Sequence, residues 1–166
     1  MLLPKDANEM LKVTRGNIFE TKATSIVNTV NCHSVMGRGL ALEFKQIYPL
    51  MFKEYVKVCK TGDLHIGTLH IYEPKENESK YKFKYIINFP TKDRWQDPSK
   101  LEYIETGMKV LVERVKQLKI TSLCIPALGC QNGGLKFADV FPIILKYVYP
   151  LIHENICNVY IYQPLK

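Results

Sequence analysis

Lys92 lies in Asn88-Phe89-Pro90-Thr91-Lys92-Asp93-Arg94-Trp95, where an apolar run ends beside the chain's only tryptophan. An amine held at a strand end and partly desolvated by an aromatic loses some preference for its charged form, which makes it a nucleophile or a base. A surface lysine next to a core tryptophan is the plain alternative. A second segment passes from Asn28 through Asn31, Met36, Gly37 and Gly39 to Leu40 and Ala41. Its two amides suit sugar hydroxyls. Its glycines let the backbone approach a phosphate, and the helix start that follows supplies N–H donors and a favourable dipole. A tight turn has the same signature. The third segment, Gly129, Cys130, Gln131, Asn132, Gly133, Gly134 and Leu135, has three glycines, two amides and no charge. Such a loop can wrap a diphosphate with backbone N–H groups, or can be a simple connection. It is not a P-loop, because Lys136 follows the glycines with no serine or threonine beside it.

These segments need a scaffold that brings strand ends together. Strands are expected over residues 11–14, 25–30, 67–72, 81–89, 122–126 and 158–162. Helices are expected from residue 37 to the stop at Pro49, over 50–60, over 99–119 and over 137–149. The third is the most regular, with Leu101, Ile104, Met108, Leu111, Val115 and Leu118 in helical spacing and Ser99 with Glu102 resembling a capping box. In the strand expected over 81–89, Lys80, Lys82 and Lys84 alternate with Tyr81, Phe83 and Tyr85. Their lysine face is read as solvated, or as part of a nucleic acid track. Residues 73–79 read as a flexible loop. Strands alternating with helices imply an α/β domain with helices on both faces of one sheet, and glycine-rich ends of its strands are where such a sheet binds ligands.

With 166 residues and 46% hydrophobic content, the chain suits one domain. A net charge of +7 favours a polyanionic partner. The five cysteines form no CxxC pair and imply a reduced, cytoplasmic protein without disulfides. The four histidines match no zinc spacing, so no metal is expected. Residues 1–10 include Pro4, Lys5, Asp6 and Glu9 in place of a signal peptide's apolar segment. No apolar run approaches the roughly 18 residues of a membrane span.

Together, Gly16-Asn17-Ile18-Phe19, VNTVN, VMGRGLALEFK, INFPTKDRW and ALGCQNGGL resemble the macrodomain family over nearly the whole chain. They are most similar to its antitoxin branch in DarT/DarG toxin–antitoxin systems. The resemblance implies a three-layer α/β/α fold with a mixed central sheet of about six strands. It implies a glycohydrolase that removes ADP-ribose from thymidine in single-stranded DNA, without a cofactor. Asn17 and Ile18 would meet the adenine end, residues 37–41 and 129–135 the diphosphate, and Asn31 the distal ribose. Asn28 and Met36 are counted among the ligand residues, and Lys92 with Asn31 forms the catalytic pair. Lys92 would act as a Schiff-base nucleophile or as a base, its pKa lowered by burial and by Arg94. Two departures from the branch are Arg94, where a histidine is expected, and Gln131, where glycine is usual and whose side chain narrows the loop. A branch acting on protein glutamate pairs its lysine with an acid in the second loop; here that loop has none. Other readings are a non-catalytic ADP-ribose reader, a phosphatase of ADP-ribose 1″-phosphate, and a cysteine hydrolase built on Cys32 or Cys130 with His33. The resemblance also implies a DarT-type toxin as partner, with a further C-terminal domain in full antitoxins.

Overall fold

The computed structural model describes residues 10–165. The reading of residues 1–10 as a polar lead therefore falls, except for Met10, outside the described residues. Six strands are present: β1 (Leu11–Thr14), β2 (Ser25–Val30), β3 (His70–Tyr72), β4 (Tyr85–Pro90), β5 (Ser122–Ile125) and β6 (Asn158–Tyr162). They form one sheet in the order β1-β6-β5-β2-β4-β3. All neighbours pair in parallel except β3, which runs antiparallel to β4 along His70↔Asn88 to Tyr72↔Ile86. Five strands thus end at the same edge, and their following loops are neighbours.

The helices are α1 (Gly39–Ile47), α2 (Pro49–Lys60), α3 (Leu101–Gln117) and α4 (Phe137–His153). Strand alternation divides the core. Ile26, Ile86 and Cys124 pack with Phe44, Tyr48, Met51 and Tyr55 of α1 and α2. Val27, Ile87 and Phe89 pack with Ile104, Met108, Leu111, Val140, Ile144 and Val148 of α3 and α4. Period two on the strands and period 3.6 on the helices together produce three layers.

Several boundaries differ from those expected. The strand over 67–72 is confined to His70–Tyr72. The strand over 81–89 begins at Tyr85, because the preceding chain is held otherwise: Lys84 N–H donates to Thr24 O, and Ser79 Oγ accepts from Tyr81 N–H. Its alternation survives as exposed lysines against half-buried Tyr81 and buried Phe83. The first helix starts at Gly39, and Pro49, expected as a stop, opens α2 as well, since a first-turn residue needs no N–H. The strand over 122–126 ends at Ile125. The helix over 137–149 continues through Pro150 to His153, which carries Leu151 and Ile152 into the core. Ser99 is no helix cap. Lys100 occupies that position, while Ser99 N–H donates to Gly133 O at 2.9 Å and its buried hydroxyl has no protein partner. Supporting the glycine loop has displaced the capping role.

Candidate functional site

The carboxyl ends of the parallel strands enclose a cleft of about 650 Å³. This volume suits a ligand of dinucleotide size. Asn17 and Ile18 after β1 and Tyr162 to Leu165 at and beyond the end of β6 line one side, and Lys92 and Trp95 after β4 the other. From β6 to β4 is three strand spacings, about 14 Å.

Loop contacts build the β4 side. Thr91 N–H donates to Val30 O at 2.9 Å, and Cys32 N–H donates to Asp93 O at 2.8 Å, so the loops after β2 and β4 are tied backbone to backbone. Lys92 is half-buried. Its Nζ donates to Trp95 O and to Asn132 O, each at 3.0 Å, and thereby joins the β4 loop to the second glycine loop. Burial and the nearby Arg38 cation lower its pKa from 10.5, with Asp97 opposing. Arg94, the expected neighbour, instead forms a salt bridge with Asp97 at 2.9 Å. A neutral lysine amine has two N–H bonds and one lone pair. The two carbonyls take both N–H bonds, which leaves the lone pair available to an electrophile.

Asn31 is buried, and its side chain is engaged from three directions. Nδ2 donates to Val35 O at 2.7 Å, while Oδ1 accepts from His33 N–H at 2.9 Å and from the Tyr55 hydroxyl at 2.9 Å. Tyr55 also reaches Asn31 O at 2.8 Å. One amide hydrogen of Asn31 remains available to a ligand. Asn28 belongs to another network. It is fully buried and donates to Asn88 Oδ1 at 3.0 Å, and Asn88 donates in turn to His70 Nδ1 at 2.9 Å. Only Thr29 and Val30 separate Asn28 and Asn31 in sequence, but the first still follows the strand's alternation and turns inward, while the second has left the strand.

The two glycine loops meet closely. A Cβ on Gly39, whose φ is +61°, would lie 2.9 Å from Asn132 Nδ2. A Cβ on Gly133 would collide with Ser99 Oγ and Gly129 O. Gly37, Gly39, Leu40, Ala41, Gly129, Cys130, Gln131, Asn132 and Gly133 all line the cleft, whereas Met36, which is buried, Gly134, which is exposed, and Leu135 do not. Gln131 reaches across the opening, where Nε2 donates to Leu165 O at 3.3 Å. Asn17, expected near the adenine end, uses Oδ1 to cap the short 3-10 turn Ile18–Glu20 through Phe19 N–H at 3.0 Å.

The cysteine hydrolase reading loses its chemistry. Burial pushes the Cys32 thiol up to about 12 and that of Cys130 up to about 11. The His33 ring sits on Asp93 at 3.1 Å. High thiol pKa values leave little thiolate to attack. Among the described residues no cluster of three or more histidine, cysteine, aspartate or glutamate residues could hold a metal, and no helix is long and apolar enough to cross a membrane. Glu43 is the one carboxylate among the lining residues.

Sequence reasoning missed Tyr55, Arg38 and the loop after β6. Tyr55 follows Met51 at helical spacing and reads as core, and Arg38 was hidden between two glycines. The β6 loop was within reach, because a parallel strand must end at the ligand edge.

A Macro domain family model matches residues 27–144. The chain is 40% identical over 157 residues, 95% of its length, to a DNA ADP-ribosyl glycohydrolase of Thermus aquaticus, of whose length it spans 42%. Among solved structures, the macrodomain of Mycobacterium tuberculosis DarG superposes with a TM-score of 0.87 at 38% identity, covering 94% of this chain and 99% of that one. Thermosipho africanus DarTG in complex with ADP-ribose also has a TM-score of 0.87, at 30% identity over 96% of this chain and 43% of that one.

Proposed function

The chain belongs to the macrodomain family, and from that premise we propose that it is an ADP-ribosyl glycohydrolase that releases ADP-ribose from thymidine in single-stranded DNA. The observation that carries the reading is the Lys92 amine, fixed between Trp95 O and Asn132 O at the end of the cleft, with its pKa lowered. The two glycine loops hold the diphosphate with backbone N–H groups, and the free amide hydrogen of Asn31 meets the distal ribose. Holding the sugar beside the amine supplies much of the rate. Attack of the Lys92 lone pair on the anomeric carbon breaks its bond to the base nitrogen, which receives the amine's proton. The ring then opens to a Schiff base, and water hydrolyses it to ADP-ribose and free lysine. In the alternative, the amine takes a proton from water as the oxygen attacks the same carbon, the bond to the base nitrogen breaks, and that nitrogen receives the proton from the amine.

The similarity to the Thermus aquaticus protein supports this activity, and the loop over residues 129–135 contains no carboxylate to serve hydrolysis of a glutamate ester. The nearby acids Asp93 and Asp97 are engaged by His33 and Arg94. The toxin that attaches the modification, of the DarT type, is the proposed partner. One observation favours a non-catalytic reader, namely that Lys92 already ties two loops together, as a structural lysine would. Turnover decides between the two. Lys92→Ala is expected to abolish release of ADP-ribose from a thymidine-modified oligonucleotide, with free ADP-ribose still bound in calorimetry; undiminished release would refute the assignment. Borohydride should trap a lysine adduct if the amine is the nucleophile and none if it is a base. Release of inorganic phosphate from ADP-ribose 1″-phosphate in place of ADP-ribose from DNA would indicate the phosphatase.

A further inference from the structure

Trp95 is 49% exposed, although it is the chain's only tryptophan. Leaving so large an apolar ring in water forgoes a burial energy that core tryptophans recover. Its location is informative. Of the exposed large apolar residues, Val35 and Trp95 line the β4 side of the cleft and Leu165 the opposite side. The Arg38 guanidinium lies over the Trp95 ring, 5.9 Å from its centroid. The backbone carbonyl of the same tryptophan holds Lys92 Nζ at 3.0 Å. An aromatic face with an attached cation therefore stands immediately beyond the reacting amine.

The direction of the ligand gives this pair its meaning. If ADP-ribose lies along the sheet edge with its adenine near Ile18 and its distal ribose at Lys92, whatever is attached to the anomeric carbon leaves the cleft past Lys92. The first surface it meets there is Trp95 with Arg38. We propose that Trp95 and Arg38 form a stacking platform for the single DNA strand that carries the modification, with a base on the indole and a phosphate against the guanidinium. This rests on the glycohydrolase reading of the same cleft. Aromatic faces with arginine are how single strands are held without sequence readout, and the chain's charge of +7 has the matching sign. An acidic protein segment would be attracted by the same charge, but lacks the regular series of flat nucleobases that stack on an indole.

The platform can be tested apart from turnover. Unmodified oligothymidylate, added to protein saturated with ADP-ribose, is expected to quench the tryptophan fluorescence. Fluorescence anisotropy of a labelled oligothymidylate should show affinity about 5- to 100-fold weaker for Trp95→Ala, the loss of one stacked base. Trp95→Phe should retain most of it, and in both variants calorimetry should show a smaller loss of affinity for free ADP-ribose than for oligothymidylate. With the modified oligonucleotide, Trp95→Ala should raise KM more than it lowers kcat, as for an interaction made equally in ground and transition states. Normal turnover with no effect of Trp95→Ala on KM or on oligothymidylate affinity would overturn the platform and leave the glycohydrolase standing. Quenching by a polyglutamate peptide but not by oligothymidylate would also overturn it. Oligothymidylate affinity that Trp95→Ala weakens in the anisotropy measurement, in a protein without turnover, would support the platform and refute the glycohydrolase.

Discussion

In the proposed mechanism Lys92 acts in its neutral form, as nucleophile or as base, so its surroundings would set the pH at which the protein works. Burial first, and the Arg38 cation second, lower its pKa from 10.5. The rate should therefore rise with pH along a limb whose midpoint lies below 10.5. Arg38→Gln removes a charge that opposes protonation of the amine. The midpoint should then move to higher pH, with activity at neutral pH reduced and recovered in alkaline buffer. A pH profile of kcat for both proteins measures this, and an unmoved midpoint would mean that Arg38 acts on the strand alone. Arg94→Gln should not lower the midpoint and, by freeing Asp97, should move it slightly upward, because Arg94 is paired with Asp97 and the charges that act on Lys92 are those of Arg38 and Asp97.

Elements hold these residues through contacts far apart in sequence. Ser99, just before α3, supports the second glycine loop through Gly133 O, and the same loop presents Asn132 O to Lys92. Gly133→Ala places a methyl group against Ser99 Oγ and Gly129 O, two neighbours with little freedom to yield. The loop must open to relieve the collision. Expected outcomes are a stability loss of about 1–3 kcal/mol in urea unfolding and an ADP-ribose affinity at least tenfold weaker. Helix α2 plays the matching part for the first loop, where Tyr55 bonds both the carbonyl and the side chain of Asn31. Tyr55→Phe leaves those buried acceptors short of a donor, at a cost of about 1–3 kcal/mol in stability. The released Asn31 should then weaken ADP-ribose binding as well, which calorimetry would detect.

The whole molecule carries a pH dependence of its own through the polar chain across β2, β4 and β3. His70 Nδ1 accepts from Asn88, and Nε2 lies 3.4 Å from Glu54, an arrangement that suits the neutral ring. Burial lowers the folded-state pKa from 6.5, and Glu54 offsets part of that. A proton on Nδ1 would break the bond from Asn88. The unfolded chain thus binds this proton more readily than the folded one. The stabilisation is fully present above pH 6.5 and is lost as pH falls through the lower folded-state value. Tm should decline from pH 7 to pH 5, and His70→Gln should flatten that slope; an equal slope in both proteins would remove His70 as the cause.

The sequence by itself determined what is local. Alternating apolar residues, helical spacing and glycine punctuation were enough to place the elements to within a few residues and to expect helices on both faces of one sheet; that the sheet is mixed came from the family resemblance. Three loops with the right residue types marked the site, and their joint resemblance pointed to the family. Boundaries slipped where tertiary bonds outweighed local preference, as when Ser99 served the glycine loop instead of capping α3. What the tertiary structure alone decided is which side chains meet. Asn28 and Asn31 share a short motif, yet one faces the core and the other the cleft, because the strand ends between them. Arg38, distant in sequence, takes the place expected of Arg94 beside Lys92, and Asn132 supplies the carbonyl that holds the amine. Parallel pairing brings the loops after β2, β4 and β5 to one edge, and no spacing within any single segment encodes the distances between them.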